Sequence, residues 1–202
     1  MISLGILGSG RGSNARSIFE AIEAGRLDAR VVCVLSDVSG SGILEQGRAR
    51  AIPSFHVAGD PFRTKLDGSA QDRVIDLLRA HSADTVVLAG FMRMVKPGLL
   101  QAFPGRVLNI HPALLPAFPG LEAWKQALDA GVDATGCTVH FVDEGMDTGP
   151  IILQRRVPVL PGDTAESLHA RIQEQEHIAY PEALALLAAG RLRLEGGKVI
   201  RS

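Results

Sequence analysis

The stretch Ile2-Ser3-Leu4-Gly5-Ile6-Leu7-Gly8-Ser9-Gly10-Arg11-Gly12-Ser13-Asn14 decides the fold. Its first six residues have the length and apolar content of a buried strand, and the glycines that follow enforce a turn. From Asn14 to Ala24 the pattern becomes helical, with Ile18, Phe19 and Ile22 on one face and Gly25 as a stop. The strand texture returns at Arg30–Leu35, Thr85–Ala89 and Arg106–Ile110. The segments between Ile2–Leu7, Arg30–Leu35 and Thr85–Ala89 read as helices, among them Ala70–His81 with Val74, Leu77 and Leu78. That alternation predicts an α/β fold, a parallel sheet covered by helices on both faces.

The chain has 202 residues, the size of one domain with one substantial core. Lys plus Arg (21) nearly balances Asp plus Glu (22), and no block of like charge stands out, which argues against a nucleic-acid stripe or a membrane-surface helix. A small-molecule partner is expected. Cys33 and Cys137 lie far apart inside apolar runs with no metal-ligand spacing, and read as buried core thiols. The opening residues carry no basic leader, and no apolar run approaches the roughly 20 residues of a membrane span, so a cytoplasmic protein is expected.

The glycine turn follows a strand and opens a helix, where backbone N–H groups and the helix dipole make an anion site. The spacing Gly8-x-Gly10-x-Gly12 puts Ser13 where a dinucleotide fingerprint wants its third glycine, and no Gly-Lys-Ser/Thr follows. A monophosphate fits this pattern better than NAD or ATP. A plain strand-to-helix turn remains open, as does the dinucleotide reading, in which Asp37 would meet a ribose.

Beyond Ile110 the chain turns proline-rich, from His111-Pro112 to Pro119-Gly120, and must be a loop. Strand alternation sends Asn109 and His111 to the same side. A carboxamide and an imidazole sharing one space suit acyl transfer, because both can donate to an oxyanion and the imidazolium can act as a general acid. A strand end that merely meets solvent is the competing reading. Further strands at Gly136–Val142 and Pro150–Val157 enclose a polar turn that contains Asp147, placed to orient His111 and raise its pKa or simply to form the turn. His140 is ambiguous in the same way and reads as a histidine that is packed or that supports the site from behind. Asp163 and Glu166 predict a capping box that opens a long helix reaching about Ala189, with Pro181 inside it. On that helix Glu176 interrupts an apolar stripe of Leu168, Ile172 and Ala179, and a charge there calls for a partner.

Taken in order, these motifs resemble the phosphoribosylglycinamide formyltransferases: Gly10-Arg11-Gly12-Ser13-Asn14, Val87-Leu88-Ala89-Gly90-Phe91-Met92-Arg93, Leu108-Asn109-Ile110-His111-Pro112, Leu114-Leu115-Pro116, Phe118-Pro119-Gly120, Thr138-Val139-His140-Phe141-Val142, Asp147-Thr148-Gly149-Pro150 and Gln175-Glu176-His177. The resemblance implies a Rossmann-like, mostly parallel sheet of the formyltransferase fold, in one domain over 1–202. Residues up to about 100 would form a phosphate-binding half, and those from about 101 a folate-binding and catalytic half. It implies transfer of a formyl group from 10-formyltetrahydrofolate, as co-substrate, to the amine of glycinamide ribonucleotide in purine biosynthesis, with no metal, by a monomer or homodimer. Gly12, Ser13 and Asn14 would hold the substrate phosphate, and Glu176 would contact the same substrate. The backbone of Met92, Arg93, Met94 and Val95 and the turn from Val142 and Asp143 to Asp147 would grip the pterin, with Asn109 also at the folate. Asn109, His111 and Asp147 would be the catalytic group, with His111 the proton donor. Two departures stand out. Glu122 and Trp124 occupy a region where many relatives place a histidine, and Arg63 and Lys65 both compete to meet the folate tail.

Overall fold

The computed structural model describes residues 1–59 and 64–201. In chain order the elements are β1 (Ile2–Leu7), α1 (Ser13–Glu23), β2 (Ala29–Ser36), α2 (Gly42–Ala49), β3 (Ser54–His56), β4 (Lys65–Leu66), α3 (Gly68–Ala80), β5 (Thr85–Leu88), β6 (Met94–Val95), α4 (Pro97–Ala102), β7 (Val107–His111), α5 (Ala123–Asp129), β8 (Ala134–Phe141), β9 (Ile151–Pro158), α6 (Ala165–Ala188), β10 (Leu192–Glu195) and β11 (Lys198–Arg201). Seven strands form the main sheet in the order β3-β2-β1-β5-β7-β8-β9. The first five are parallel, and β8 and β9 add antiparallel to the edge of β7. This is the expected α/β fold with helices on both faces.

Alternation along β1 explains the layers. Every residue of this central strand is buried. Ile2, Leu4 and Ile6 join a core with residues of α1, α2 and α6, while Leu7 belongs to the opposite core with residues of α3 and α4. Gly5 faces α3 with no room to spare, since a Cβ there would lie 2.1 Å from Leu78 Cδ2. The first core draws on residues from Ile2 to Leu187, so the early and late parts of the chain share it.

The strand order reverses direction between β1 and β5, with β2 and β3 outward on one side and β7 on the other. In open α/β sheets ligands bind outside the carboxyl ends of the strands at such a switch point. The glycine turn, the segment after β5 and the end of β7 all lie at those carboxyl ends.

Two expectations need correction. The capping box of α6 is Thr164 with Ser167, one residue later than Asp163 with Glu166: Thr164 Oγ1 accepts from Ser167 N–H and Ser167 Oγ accepts from Thr164 N–H. Asp163 instead accepts from Leu160 N–H and pairs with Arg171, roles that favour a carboxylate just before the cap. The short elements β3, β4, β6, α4 and α5 do not stand out from sequence because two to seven residues carry too little periodicity to register.

Candidate active site

Two sites of different construction sit at the strand ends. In the first, Gly12 is the N-cap of α1 with φ 77°, and no side chain caps the helix. The first intrahelical bond runs from Arg16 N–H to Gly12 O, which leaves the amides of Gly12 to Ala15 without helical acceptors. No acidic residue occupies the first turn. An anion is the natural complement of such an end. Gln46 Nε2 fixes the turn from behind by donating to Arg11 O (2.6 Å) and Gly12 O (3.1 Å).

Ser13 is half-buried, but the Asn14 side chain turns inward, where Nδ2 donates to Glu176 Oε2 at 2.9 Å. The partner that Glu176 called for is therefore Asn14, and the pair stitches α1 to α6. Glu176 is only 4% exposed, and burial pushes its carboxyl above the ordinary range, opposed by the Asn14 bond. Asn14 Oδ1 is buried and accepts no hydrogen bond among the described residues.

The second site is built from side chains. Antiparallel pairing sets Asn109 of β7 opposite His140 of β8. His140 Nδ1 lies 2.8 Å from Phe141 O, an acceptor only, so this nitrogen carries the proton. Burial lowers the His140 pKa and favours the neutral ring, whose Nε2 can accept from Asn109 Nδ2 at 3.3 Å. His111 is also buried. Its Nε2 donates to Phe118 O at 2.8 Å, and its Nδ1 lies 3.4 Å from Asp147 Oδ2. Both nitrogens thus face oxygen acceptors, a setting that the neutral ring satisfies once and the imidazolium twice.

Asp147 sits in the turn between β8 and β9 with φ 56°, a left-handed conformation that asparagine and aspartate tolerate better than most residues. Its Oδ2 also accepts from Gly120 N–H at 2.9 Å, and its Oδ1 lies 3.8 Å from His140 Nε2. The turn folds tightly onto β8, because a Cβ at Gly149 would lie 1.8 Å from Phe141 O. Asp143 Oδ1 is occupied inside the turn, accepting from Gly145 N–H and Thr148 Oγ1. Val142 N–H donates to Val107 O at 2.9 Å.

Residues 4–184 match the family described as formyl transferase. The chain belongs to that family. A glycinamide ribonucleotide transformylase from Symbiobacterium toebii superposes with a TM-score of 0.93 at 48% identity, over 100% of this chain and 94% of that one. The phosphoribosylglycinamide formyltransferase of Escherichia coli is 39% identical over 94% of this chain and 88% of its own length. A trifunctional purine biosynthetic protein of Drosophila pseudoobscura is 44% identical over 93% of this chain, which spans only 14% of that protein.

In this family member the structure gathers Asn109, His111 and Asp147 around one point, together with His140, which sequence reasoning left between packing and a supporting role. Phe118 O and Gly120 N–H complete the enclosure, and their only signal in the sequence was a proline-rich segment that had to be a loop. Met92 N–H donates to Ser9 Oγ (3.0 Å) and Met94 N–H to Thr64 O (3.0 Å). Because Met94 faces β4, alternation turns the backbone groups of Arg93 and Val95 to the other edge. Lys65 Nζ pairs with Asp67 at 2.8 Å, and Arg63 lies outside the described residues. Asp37 accepts from Ser9 Oγ and Arg93 Nε, which engages the carboxylate on which a dinucleotide reading depended. Trp124 stacks flat on His169, ring centroids 3.8 Å apart, while Glu122 caps α5 in the left-handed region. Cys33 and Cys137 are buried, and burial pushes both thiols up to about 12.

Proposed function

We infer that the chain transfers the formyl group of 10-formyltetrahydrofolate to the amine of glycinamide ribonucleotide, giving formylglycinamide ribonucleotide and tetrahydrofolate in purine biosynthesis. The observation that carries this reading is the meeting of Asn109, His111 and Asp147 at the end of β7, next to a helix N-terminus suited to a phosphate. Gly12, Ser13 and Asn14 offer the phosphate their backbone amides. Glu176 and the unpartnered Asn14 Oδ1 offer acceptors to hydroxyl or amine donors on the same substrate. The outward backbone edge of Arg93 and Val95, within the segment Met92–Val95, and the turn Val142–Asp147 receive the pterin.

When the amine attacks the formyl carbon, negative charge gathers on the formyl oxygen. Asn109 Nδ2 and His111 donate to it. Asn109 is held for this by His140, which takes one of its two amide protons. His111 reaches the oxygen with Nε2, exchanging the Phe118 carbonyl for the substrate, while Asp147 keeps hold of Nδ1 and fixes the orientation of the ring. A new C–N bond forms at the substrate amine and the bond to the folate nitrogen breaks. The proton lost by the first nitrogen is returned to the second, and His111 is placed to hold it in transit. The chain works in the cytoplasm as a monomer or homodimer, the early half serving the phosphate and the late half most of the folate site and the chemistry.

The test is consumption of 10-formyltetrahydrofolate with and without glycinamide ribonucleotide. Consumption that requires the ribonucleotide and yields its formylated product is the expected result. Equal consumption without it would identify a hydrolase and overturn the reading.

A further inference from the structure

Asp37 has no part in the chemistry above, yet it lies at the centre of the switch point. Its Oδ1 accepts from Ser9 Oγ at 2.6 Å, and its Oδ2 accepts from Arg93 Nε at 2.6 Å. Ser9 Oγ in turn accepts from Met92 N–H at 3.0 Å, and Ser9 N–H donates to Gly90 O at 3.0 Å. Arg93 Nη1 donates to Gly59 O at 3.3 Å, and a Cβ at Gly59 would lie 2.2 Å from Arg93 Cζ, so a side chain there would displace the guanidinium. The ion pair is largely shielded, with side-chain exposures of 14% for Arg93 and 9% for Asp37.

These bonds join three loops that leave adjacent parallel strands. Ser9 belongs to the phosphate turn after β1, Asp37 follows β2, and Met92 and Arg93 belong to the folate segment after β5. The turn is also pressed directly onto the segment after β5: a Cβ at Gly8 would lie 2.7 Å from Ala89 O. We propose that the chain Ser9–Asp37–Arg93 is a positioning device that sets the folate segment against the phosphate turn, so that the amine of one bound substrate meets the formyl carbon of the other in register. The proposal rests on the reading of the two ligands given above. Ser9, Asp37 and Arg93 are positioning residues: their side chains act through the backbone that they hold. Bimolecular reactions on an enzyme depend steeply on such alignment, and a misplacement of about 1 Å costs roughly 100-fold in rate.

Ser9→Ala removes one hydroxyl, keeps every backbone atom, and cuts both the tie to Met92 N–H and the link to Asp37. It is expected to lower kcat at saturating concentrations of both substrates by roughly 10- to 100-fold. The Kd for glycinamide ribonucleotide alone and for tetrahydrofolate alone, by titration calorimetry, should stay within about threefold of wild type, because each ligand still meets an intact half-site. Asp37→Asn should act in the same direction, and adding Ser9→Ala to it should cost little more, since both changes break one chain. The same titrations count the binding-competent molecules. An unchanged kcat in Ser9→Ala, or a fall matched by fewer competent molecules, would overturn the proposal, as would loss of either ligand's affinity in proportion to kcat. A wild-type chain that does not formylate the ribonucleotide would overturn the ligand reading itself, and with it the premise.

Discussion

The phosphate turn and the Asn109–His111–Asp147 cluster stand at strand ends of one sheet with β5 between them, yet they are made by opposite means. The turn is made of backbone: unpaired amides, a glycine at positive φ, and no side chain in the way. The cluster is made of side chains from β7, β8 and the turn after β8, held by one another and by backbone groups of the loop after β7. A site of the first kind is damaged by adding atoms. One of the second kind is damaged by taking them away, and its geometry depends on everything that brings four segments together.

The largest expected effect comes from subtraction in the cluster. His111→Ala removes an oxyanion donor and the proton carrier together, and kcat should fall by at least roughly 100- to 1000-fold. Calorimetric binding of the ribonucleotide should persist, because the turn is built without His111. Joint loss of binding and turnover would erase the distinction between the two regions.

Addition at the turn should do the reverse. Gly12→Val forces a β-branched residue to φ 77° and drives a Cβ to within 3.0 Å of Gln46 Nε2 and Ile43 Cβ. The Kd for the ribonucleotide should rise by roughly tenfold or more, equivalent to about 1.4 kcal/mol. Tetrahydrofolate binding should change little. Equal weakening of both ligands would point to a folding defect and not to a backbone site.

The smallest effect sharpens the comparison at Glu176, the side chain that holds Asn14 of the turn. Burial raises its pKa, so the folded chain holds this proton to higher pH than the unfolded chain does. The stability it contributes is complete below the ordinary carboxyl value of 4.5 and is lost as pH rises through the raised value. Glu176→Gln has no proton to lose and can still accept from Asn14 Nδ2. The ligand-free variant should therefore melt higher than wild type at pH 8 and closer to it at pH 4, with each kcal/mol gained appearing as about 2–4 °C in Tm. Its KM for the ribonucleotide should rise more than that for the folate. A melting difference independent of pH would contradict the burial argument.

The same contrast explains what could be read in advance. Strand, glycines and helix follow one another within thirteen residues, so β1, the turn and α1 were legible with errors of a residue. Asn109 and His111 were legible as a pair because period-two alternation is local. That Asp147 meets His111 could not follow from spacing, because the contact depends on β8 and β9 adding antiparallel to β7 and on a turn folded tightly onto β8. It came from the resemblance. Sequence alone leaves His140 between packing and support for a related reason, since its partner is set by cross-strand register. Asp37 was visible as a carboxylate at a strand end, but its engagement by Ser9 and Arg93 depends on three loops converging. Asp163 was misplaced by one position because an aspartate and a threonine in succession both make good caps.

The stacked pair of α5 and α6 gives the molecule an optical property of its own. Trp124 is the sole tryptophan, so nearly all the long-wavelength ultraviolet emission comes from one indole, covered face to face by the His169 ring. That indole stands at the start of the helix into which the loop carrying Phe118 and Gly120 runs. Burial lowers the His169 pKa, so at neutral pH the covering ring is uncharged and quenching by an imidazolium is minimal. The chain thus carries an unlabelled chromophore beside the loop that meets His111 and Asp147, sensitive to how closely the two helices lie.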